Sequence, residues 1–150
     1  MTRSILLLLA IVGISACAGG KYYSNDDPKN LFVQTQVDSS VRAALHVSRV
    51  DANCQAAYQG RVALDRPTVE IGIPVEQLSF VDVSFDSSSF LSGSHKMSAG
   101  TLFKPRAGYR YELIATYRND IYNVALREIA PSNKVREIPR RDLWNCAAAS

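Results

Sequence analysis

The stretch from Phe103 to Ile129 constrains the fold of this chain more than any other part of the sequence. Two runs rich in Tyr, Ile, Val and Leu flank Asn119-Asp120. Asn and Asp both tolerate the positive φ that a two-residue hairpin turn requires. In a hairpin with a two-residue turn, two residues lie opposite each other when they are the same number of positions away from the turn.

The pairing that follows from this turn gives the hairpin two unlike faces. The pairs are Tyr117 with Tyr122, Ala115 with Val124 and Leu113 with Leu126 on one face, and Thr116 with Asn123 and Glu112 with Arg127 on the other. The first face is apolar, and the second is mixed and carries a pair of opposite charges. The sequence therefore predicts a half-buried antiparallel hairpin in a β-rich domain.

Short alternating runs separated by turn residues recur along the rest of the chain. No long stretch keeps a roughly 3.6-residue period, and the breaks have the spacing of a sandwich or barrel. We predict an all-β fold, an antiparallel β-sandwich of about seven or eight strands, immunoglobulin-like or transthyretin-like. The other predicted strands are 31–37, 41–47, 61–64, 68–73, 78–85, 96–103 and 135–138, with a loop over 86–94 and short helices near 74–78 and 140–149.

The N-terminus has the features of an export signal. Arg3 precedes an apolar run over 5–12. This run is too short for a spanning helix of roughly 20 residues and predicts a cleaved signal peptide over 1–16. The segment 14–17, Ile-Ser-Ala-Cys, resembles the lipobox of bacterial lipoprotein precursors. The resemblance implies that Cys17 is acylated, becomes the first mature residue and holds the protein on a membrane through its acyl chains.

The resemblance also implies a destination. The residue after Cys17 is Ala18 rather than Asp. By the sorting pattern of Gram-negative lipoproteins, this implies an outer-membrane protein that faces the periplasm. Ordinary signal cleavage near Cys17, which would leave a soluble secreted protein, is the alternative.

The mature chain divides into a tether and a domain. Turn formers and charges dominate 17–30. We predict a lipid-anchored flexible tether there, with a root-mean-square reach of about 20 Å. Residues 31–150 are long enough for one sandwich domain with one hydrophobic core.

Cysteine usage agrees with export. The chain has three Cys, and assigning Cys17 to lipid leaves Cys54 and Cys146. In an oxidising compartment an even remainder predicts one disulfide. A metal pair and a reactive thiol are the alternatives, and neither cysteine has a nearby His at metal-ligand spacing.

Candidate catalytic and metal-binding residues are few. The segment 92–95, Ser-Gly-Ser-His, offers a nucleophile and a base, but it lacks the strand-turn-helix context of a nucleophile elbow. His46, His95, Asp82 and Asp86 have no recognisable ligand spacing. We predict no catalytic residue, metal or cofactor, and therefore not an enzyme.

The charge pattern excludes one class of partner and suggests another. The net charge is +3, of which Arg3 contributes one. This small charge does not produce the strongly positive electrostatic field of a nucleic-acid-binding protein. A candidate binding patch lies near the C-terminus, and further basic residues accompany the hairpin. The patch is Arg136, Arg140, Arg141 and Trp144, and the second group is Lys104, Arg106, Arg110 and Arg118. These groups suit an anionic envelope polymer or an envelope protein partner, and the alternative is a solvated rim that keeps edge strands from aggregating.

A turn is expected just before the hairpin. Phe103, Pro105, Gly108 and Tyr111 form a Phe-x-Pro-x-x-Gly-x-x-Tyr pattern. The pattern is similar to loop-into-strand passages in small envelope lipoproteins of the sandwich type. Pro fixes φ, and Gly permits a positive φ.

Together these observations predict a non-enzymatic outer-membrane lipoprotein whose sandwich serves binding or envelope assembly. One alternative is an accessory lipoprotein of a secretion apparatus, since those of type VI secretion are similar in length, lipobox and small sandwich. Another is an inhibitor of lysozyme or a protease that acts through the loop at 86–95.

Overall fold

A computed structural model describes residues 20–89 and 93–148 of the chain. Within these ranges it has nine strands and one 3₁₀ segment, and no helix has the length and hydropathy of a membrane span. The strands are β1 (Leu31–Val37), β2 (Val41–Val50), β3 (Ala56–Ala63), β4 (Thr68–Ile71), β5 (Ser79–Ser89), β6 (Gly93–Phe103), β7 (Arg110–Arg118), β8 (Ile121–Ile129) and β9 (Val135–Ile138), and the 3₁₀ segment is Leu143–Ala148. The predicted signal peptide and the lipidation site Cys17 lie outside the described residues.

The strands form two packed sheets, so the predicted all-β sandwich is confirmed. One sheet has the order β4-β1-β7-β8-β9, and the other has the order β3-β2-β5-β6. Neighbouring strands are antiparallel except for β1 and β7, which run parallel. The described chain has nine strands rather than about seven or eight, and each of the nine overlaps a run predicted as a strand, including the four-residue edge strands β4 and β9.

The β7–β8 hairpin has the predicted register. Tyr117 lies opposite Tyr122, and every other predicted pair is present. Asn119 and Asp120 adopt φ of 51° and 63°, as a tight primed turn requires. Since each favourable cross-strand pair contributes about 0.2–1 kcal/mol, the hairpin is a stable base for the five-stranded sheet.

The main core fills the space between the two sheets. Alternate residues of each strand point into it, and Leu31, Leu45 and Leu113 are fully buried. Phe85, from the four-stranded sheet, packs its ring 5.6 Å from that of Tyr117 in the other sheet, centroid to centroid. The sandwich is therefore held by side chains from both inner faces.

In the described residues 86–89 and 93–94, the expected loop is instead a ribbon of paired strands. Asp86 lies opposite Lys96, and Ser88 lies opposite Ser94, as β5 and β6 continue to Ser89 and Gly93. The polar sequence gives no apolar alternation, because both faces of this ribbon are open to water. Backbone pairing and an opposite-charge pair extend the ladder without a core.

The short helix expected near 74–78 is a turn. Glu76 has a φ of 57°, which a right-handed helix does not allow. Its backbone N–H donates to the carbonyl of Pro105 at 2.7 Å. A contact with a distant loop therefore sets this conformation, which local helix propensity cannot predict.

Residues 21–30 pack along one open edge of the sandwich, and we call them the N-terminal strap. Tyr22 forms a parallel bridge with Arg61 of β3. The N–H of Tyr23 donates to the carbonyl of Arg61 at 2.9 Å, and the N–H of Arg61 donates to the carbonyl of Lys21 at 2.8 Å. The strap thus begins as a short addition to the edge of the four-stranded sheet.

The strap then reaches the edge of the other sheet. The hydroxyl of Tyr23 donates to the carbonyl of Gly72 at 2.7 Å. The side chain of Asn30 donates to the carbonyl of Ile73 and accepts from its N–H, both at 2.8 Å. The structure differs from the expected flexible tether over 21–30, because these bonds link both sheets through the strap.

The C-terminal segment 139–148 covers the opposite edge beside β6. The N–H of Leu102 donates to the carbonyl of Arg141 at 2.9 Å, and the N–H of Arg141 donates to the hydroxyl of Thr101 at 3.1 Å. Because 139–142 run along β6 in this way, the helix expected over 140–149 is reduced to the 3₁₀ segment.

The predicted disulfide between Cys54 and Cys146 is present. It joins residues 92 positions apart with a Cα–Cα distance of 5.7 Å. It closes a small second core on the outer face of the four-stranded sheet, which contains Val50, Leu78, Phe80, Leu102 and Leu143. The bridge thus fixes the end of the chain over the turn between β2 and β3.

Removing the disulfide should destabilise the folded domain. For Cys54→Ala with Cys146→Ala, the chain-entropy model gives a loss of about 4–5 kcal/mol, and measured cases span roughly 2–5 kcal/mol. Urea denaturation compares the free energies of unfolding of the double variant, the wild type and the reduced wild type. An unchanged urea midpoint would show that the bridge contributes nothing to stability.

The fit of the strap over β3 can be tested at Gly60. A Cβ at this position would lie 2.5 Å from the backbone N of Tyr23. Gly60→Ala should displace the strap and speed the hydrogen exchange of the Tyr23 amide. In Gly20→Ala the nearest atom would be 3.5 Å away, so this variant is the matched control. Equal exchange rates in the two variants would contradict the packed strap.

Candidate functional site

A highly charged cavity lies between the two sheets at the edge formed by β6 and β9. Its volume is about 410 Å³, and Pro139 and Ile138 form part of its wall. The charged residues that line it are Glu76, Lys104, Arg106, Glu128, Arg136 and Arg141. We call this cavity the arginine pocket.

Glu128 is the buried centre of the arginine pocket. It lies on β8, faces the interior of the sandwich, and has a side chain that is 5% exposed. Arg106 forms an ion pair with it through Nη2 and donates from Nε at 3.1 Å. Arg136 donates to Oε1 at 3.1 Å, and the hydroxyl of Tyr111 donates to Oε2 at 3.0 Å. The carboxylate therefore holds two guanidinium groups at the edge of the sheets.

The loop between β6 and β7 places Arg106 in the pocket. Pro105 is fully buried, and Gly108 has a φ of 77°, so the Phe-x-Pro-x-x-Gly-x-x-Tyr pattern does form a turn. The N–H of Arg106 donates to the hydroxyl of Tyr111 at 2.9 Å. Its guanidinium carbon lies 3.9 Å from the centroid of the Tyr109 ring. The backbone and the side chain of this arginine are both fixed before any ligand arrives.

The electrostatics favour an ionised Glu128. Burial raises the pKa of this carboxyl, but hydrogen bonds from Arg106 and Tyr111 and the charge of Arg136 outweigh burial and hold it below its ordinary value. Burial raises the pKa of the Tyr111 hydroxyl, so that group stays a donor. The hydrogen bond with Glu128 raises the pKa of Arg106 further. All these groups keep their charge states at neutral pH.

This arrangement is suited to binding an anion. Four cationic side chains line the pocket against two carboxylates, so its net charge is positive. Each guanidinium carries several N–H donors in a planar fork that matches a carboxylate or a phosphate. Glu128 uses only part of this donor set, and the side chains of Arg106 and Arg136 remain 46% and 65% exposed.

The structure divides the predicted C-terminal patch. Arg136 and Arg141 line the arginine pocket. Arg140 pairs with Asp142 at 3.9 Å and borders a separate cavity of about 60 Å³. Trp144 is 84% exposed on the 3₁₀ segment and is not part of the pocket lining.

The second basic group is divided in the same way. Lys104 and Arg106 line the arginine pocket, and Nζ of Lys104 lies 3.9 Å from Oε2 of Glu76. Arg110 pairs with Glu112 at 3.4 Å on the surface. The last member, Arg118, donates to Gln36 at 3.4 Å near the hairpin turn. The pocket thus combines members of both predicted groups.

The structure brings His46 together with a serine that the sequence did not single out. Its Nε2 lies 2.9 Å from Oγ of Ser84, and its Nδ1 lies 3.2 Å from the hydroxyl of Tyr58. Burial lowers the pKa of His46, while Asp82, opposite it in the ladder, raises it to a smaller extent. The group lies on a sheet face whose β5 backbone is paired with β2 and β6, so the ladder supplies no oxyanion hole.

The other catalytic and metal candidates are dispersed. Ser94 and His95 lie on β6 opposite Ser88 and Ser87, while Ser92 lies outside the described residues. Among residues 20–89 and 93–148, no group of three or more His, Cys, Asp and Glu side chains is placed to hold a metal ion.

Glu128 was not predicted as a site residue, although the hairpin contains a signal for it. The hairpin register that pairs Leu113 with Leu126 also pairs Tyr111 with Glu128 on the same inward face. A carboxylate at an inward position needs positively charged or hydrogen-bonding partners. Extending the alternation by one step would therefore have predicted a buried ion pair at this end of the sandwich.

Comparisons with solved structures return distant structural likenesses. No family model and no curated protein matches the sequence. The crystal structure of transthyretin from Sparus aurata is 15% identical, with a TM-score of 0.48, over 67% of this chain and 98% of that chain. Sea bream transthyretin in complex with thyroxine is 14% identical, with a TM-score of 0.44, over 75% and 99% of the two chains.

Glu128→Gln should lower stability in a pH-dependent way. The folded pKa lies below the ordinary value of 4.5, so the unfolded chain binds more protons between these two values. The ionised Glu128 contributes its full stabilisation at pH values above 4.5. This stabilisation is lost as the pH falls through the pKa of its carboxyl in the folded state. At pH 7 the variant should be less stable by about 1–3 kcal/mol.

Urea denaturation at pH 7 and at pH 3 tests this expectation. The stability gap between wild type and Glu128→Gln should narrow at pH 3. Glu112→Gln, on the neighbouring strand and ion-paired with the exposed Arg110, is the matched control. A gap that is the same at both pH values would contradict an ionised Glu128 with a lowered pKa.

Proposed function

We propose that this chain is an outer-membrane lipoprotein, acylated on Cys17, whose periplasm-facing sandwich binds an anionic group of the cell envelope without catalysis. The ligand is a carboxylate or phosphate of an envelope polymer or of a partner protein. The arginine pocket is the binding site, and the acyl chains keep it close to the membrane.

The arginine pocket is the observation that carries this proposal. A single buried carboxylate, Glu128, orients Arg106 and Arg136, and the surrounding loop fixes Arg106 in place. Pre-organised donors lower the entropic cost of binding. A solvated rim of independent charges would need neither the buried carboxylate nor the hydroxyl of Tyr111.

Sequence and structure support the proposed location from different directions. The apolar run over 5–12 and the Ile-Ser-Ala-Cys segment resemble a lipoprotein signal. The disulfide between Cys54 and Cys146 is typical of proteins in an oxidising compartment such as the periplasm. Because both remaining cysteines are in this bridge, Cys17 is left as the acyl acceptor.

Removal of one pocket arginine should weaken binding selectively. In Arg136→Gln the pocket loses a charged donor, while Arg106 still neutralises Glu128. We expect a roughly tenfold loss of affinity, equivalent to about 1.4 kcal/mol. The measurement is photo-crosslinking in intact envelopes, with a benzophenone amino acid at Glu76, which lines the pocket and has a side chain that is 63% exposed.

Two controls make this experiment specific. Arg127→Gln removes the same charge from an exposed position on β8, next to Glu128 but on the other face, and should leave crosslinking unchanged. Benzophenone at Ile121, which is 74% exposed at the hairpin turn, should give no adduct in common with position 76. If Arg127→Gln and Arg136→Gln have equal effects, or if position 76 gives no adduct, the pocket is not the binding site.

A further inference from the structure

The strap shortens the free connection between the domain and its lipid anchor. The first described residue, Gly20, lies against Arg61 of β3, where a Cβ would be 3.5 Å from Cδ of the arginine. Three peptide units separate Gly20 from Cys17, and they span at most about 11 Å. A flexible tether over 17–30 would instead allow excursions of about 20 Å.

The surface beside Gly20 has the chemistry of a membrane interface. Tyr22 and Tyr58 are 69% and 45% exposed, and the guanidinium of Arg61 lies 5.6 Å from the centroid of the Tyr22 ring. Lys21 is exposed next to them, and the sequence of β3 contains no Asp or Glu. Tyrosines favour the boundary between water and acyl chains, and basic side chains are attracted to anionic headgroups.

We propose that Lys21, Tyr22, Tyr58 and Arg61 form a membrane-facing surface, the β3 surface, that rests on the headgroups of an anionic phospholipid bilayer. The inference rests on the proposed acylation of Cys17. The chain length from Cys17 to Gly20 selects the bilayer as the occupant, because it holds the surface beside Gly20 within about 11 Å of the acylated residue. The aromatic and basic side chains of this surface then determine the orientation of the domain on the bilayer.

This orientation presents the arginine pocket to the periplasm. The strand order β3-β2-β5-β6 sets β3 and β6 at opposite edges of one sheet. Three strand spacings separate these edges by about 14 Å. The pocket is lined by Phe103 and Lys104 at the end of β6, so it lies on the side away from the bilayer.

Fluorescence quenching by labelled lipids tests this orientation. Trp144 is the single tryptophan, so Trp144→Phe gives a silent background for Tyr58→Trp, Tyr22→Trp and Ile121→Trp. Ile121 begins β8, the fourth strand from the strap side of its sheet, and is the matched exposed control. Each full chain is produced in a Gram-negative host, extracted from membranes and reconstituted in phosphatidylethanolamine and phosphatidylglycerol vesicles with nitroxide-labelled headgroups.

We expect positions 22 and 58 to lose most of their emission, and position 121 to lose little. The mass of the N-terminal peptide is measured on the same samples. An acylated Cys17 with equal quenching at all three positions, or with stronger quenching at 121, would overturn the β3 surface and leave the proposed anchorage intact. A mature chain without acyl mass would overturn the proposed function, and this inference with it.

Discussion

The register of the β7–β8 hairpin determines which side chains enter the sandwich. With Asn119 and Asp120 in the turn, Leu113 and Leu126 face the core, and so do Tyr111 and Glu128 at the far end of the same hairpin. A slip of one residue would exchange the two faces of a strand. It would take Glu128 out of the interior and leave the arginines of the pocket without their common partner. The same turn therefore sets both the core and the site.

The two open edges of the sandwich are closed by different means. Hydrogen bonds from Tyr23 and Asn30 hold the strap across the edge between β3 and β4. At the other edge, the C-terminal segment is bonded to β6 and fixed covalently through Cys146. Covered edges cannot pair with strands of other molecules, which is a general requirement for soluble β proteins. The arginine pocket occupies the part of the second edge where β6 and β9 separate.

Local patterns predicted the fold better than they predicted the site. Alternation and turn chemistry were sufficient for the hairpin register and for most strands, and the cysteine count was sufficient for the disulfide. The strap was missed because its order depends on contacts with Arg61 and Gly72, which are distant in sequence. The pocket joins Lys104 and Arg106 to Arg136 and Arg141, two basic groups that only the sheet topology brings together. Of the pocket residues, Glu128 alone could have been predicted from the sequence pattern, because the alternation of β8 places it on the same face as Leu126.

The strap also determines how the domain would respond to mechanical force. Tension applied ahead of Gly20 would load the bonds of Tyr23 to β3 before those of Asn30 to Ile73, so the strap would peel away one contact at a time. The disulfide between Cys54 and Cys146 would meanwhile keep the C-terminal segment attached to the turn between β2 and β3. A pull on the N-terminus would thus extend the strap first and leave the sandwich intact, so the strap can take up an extension without unfolding the domain.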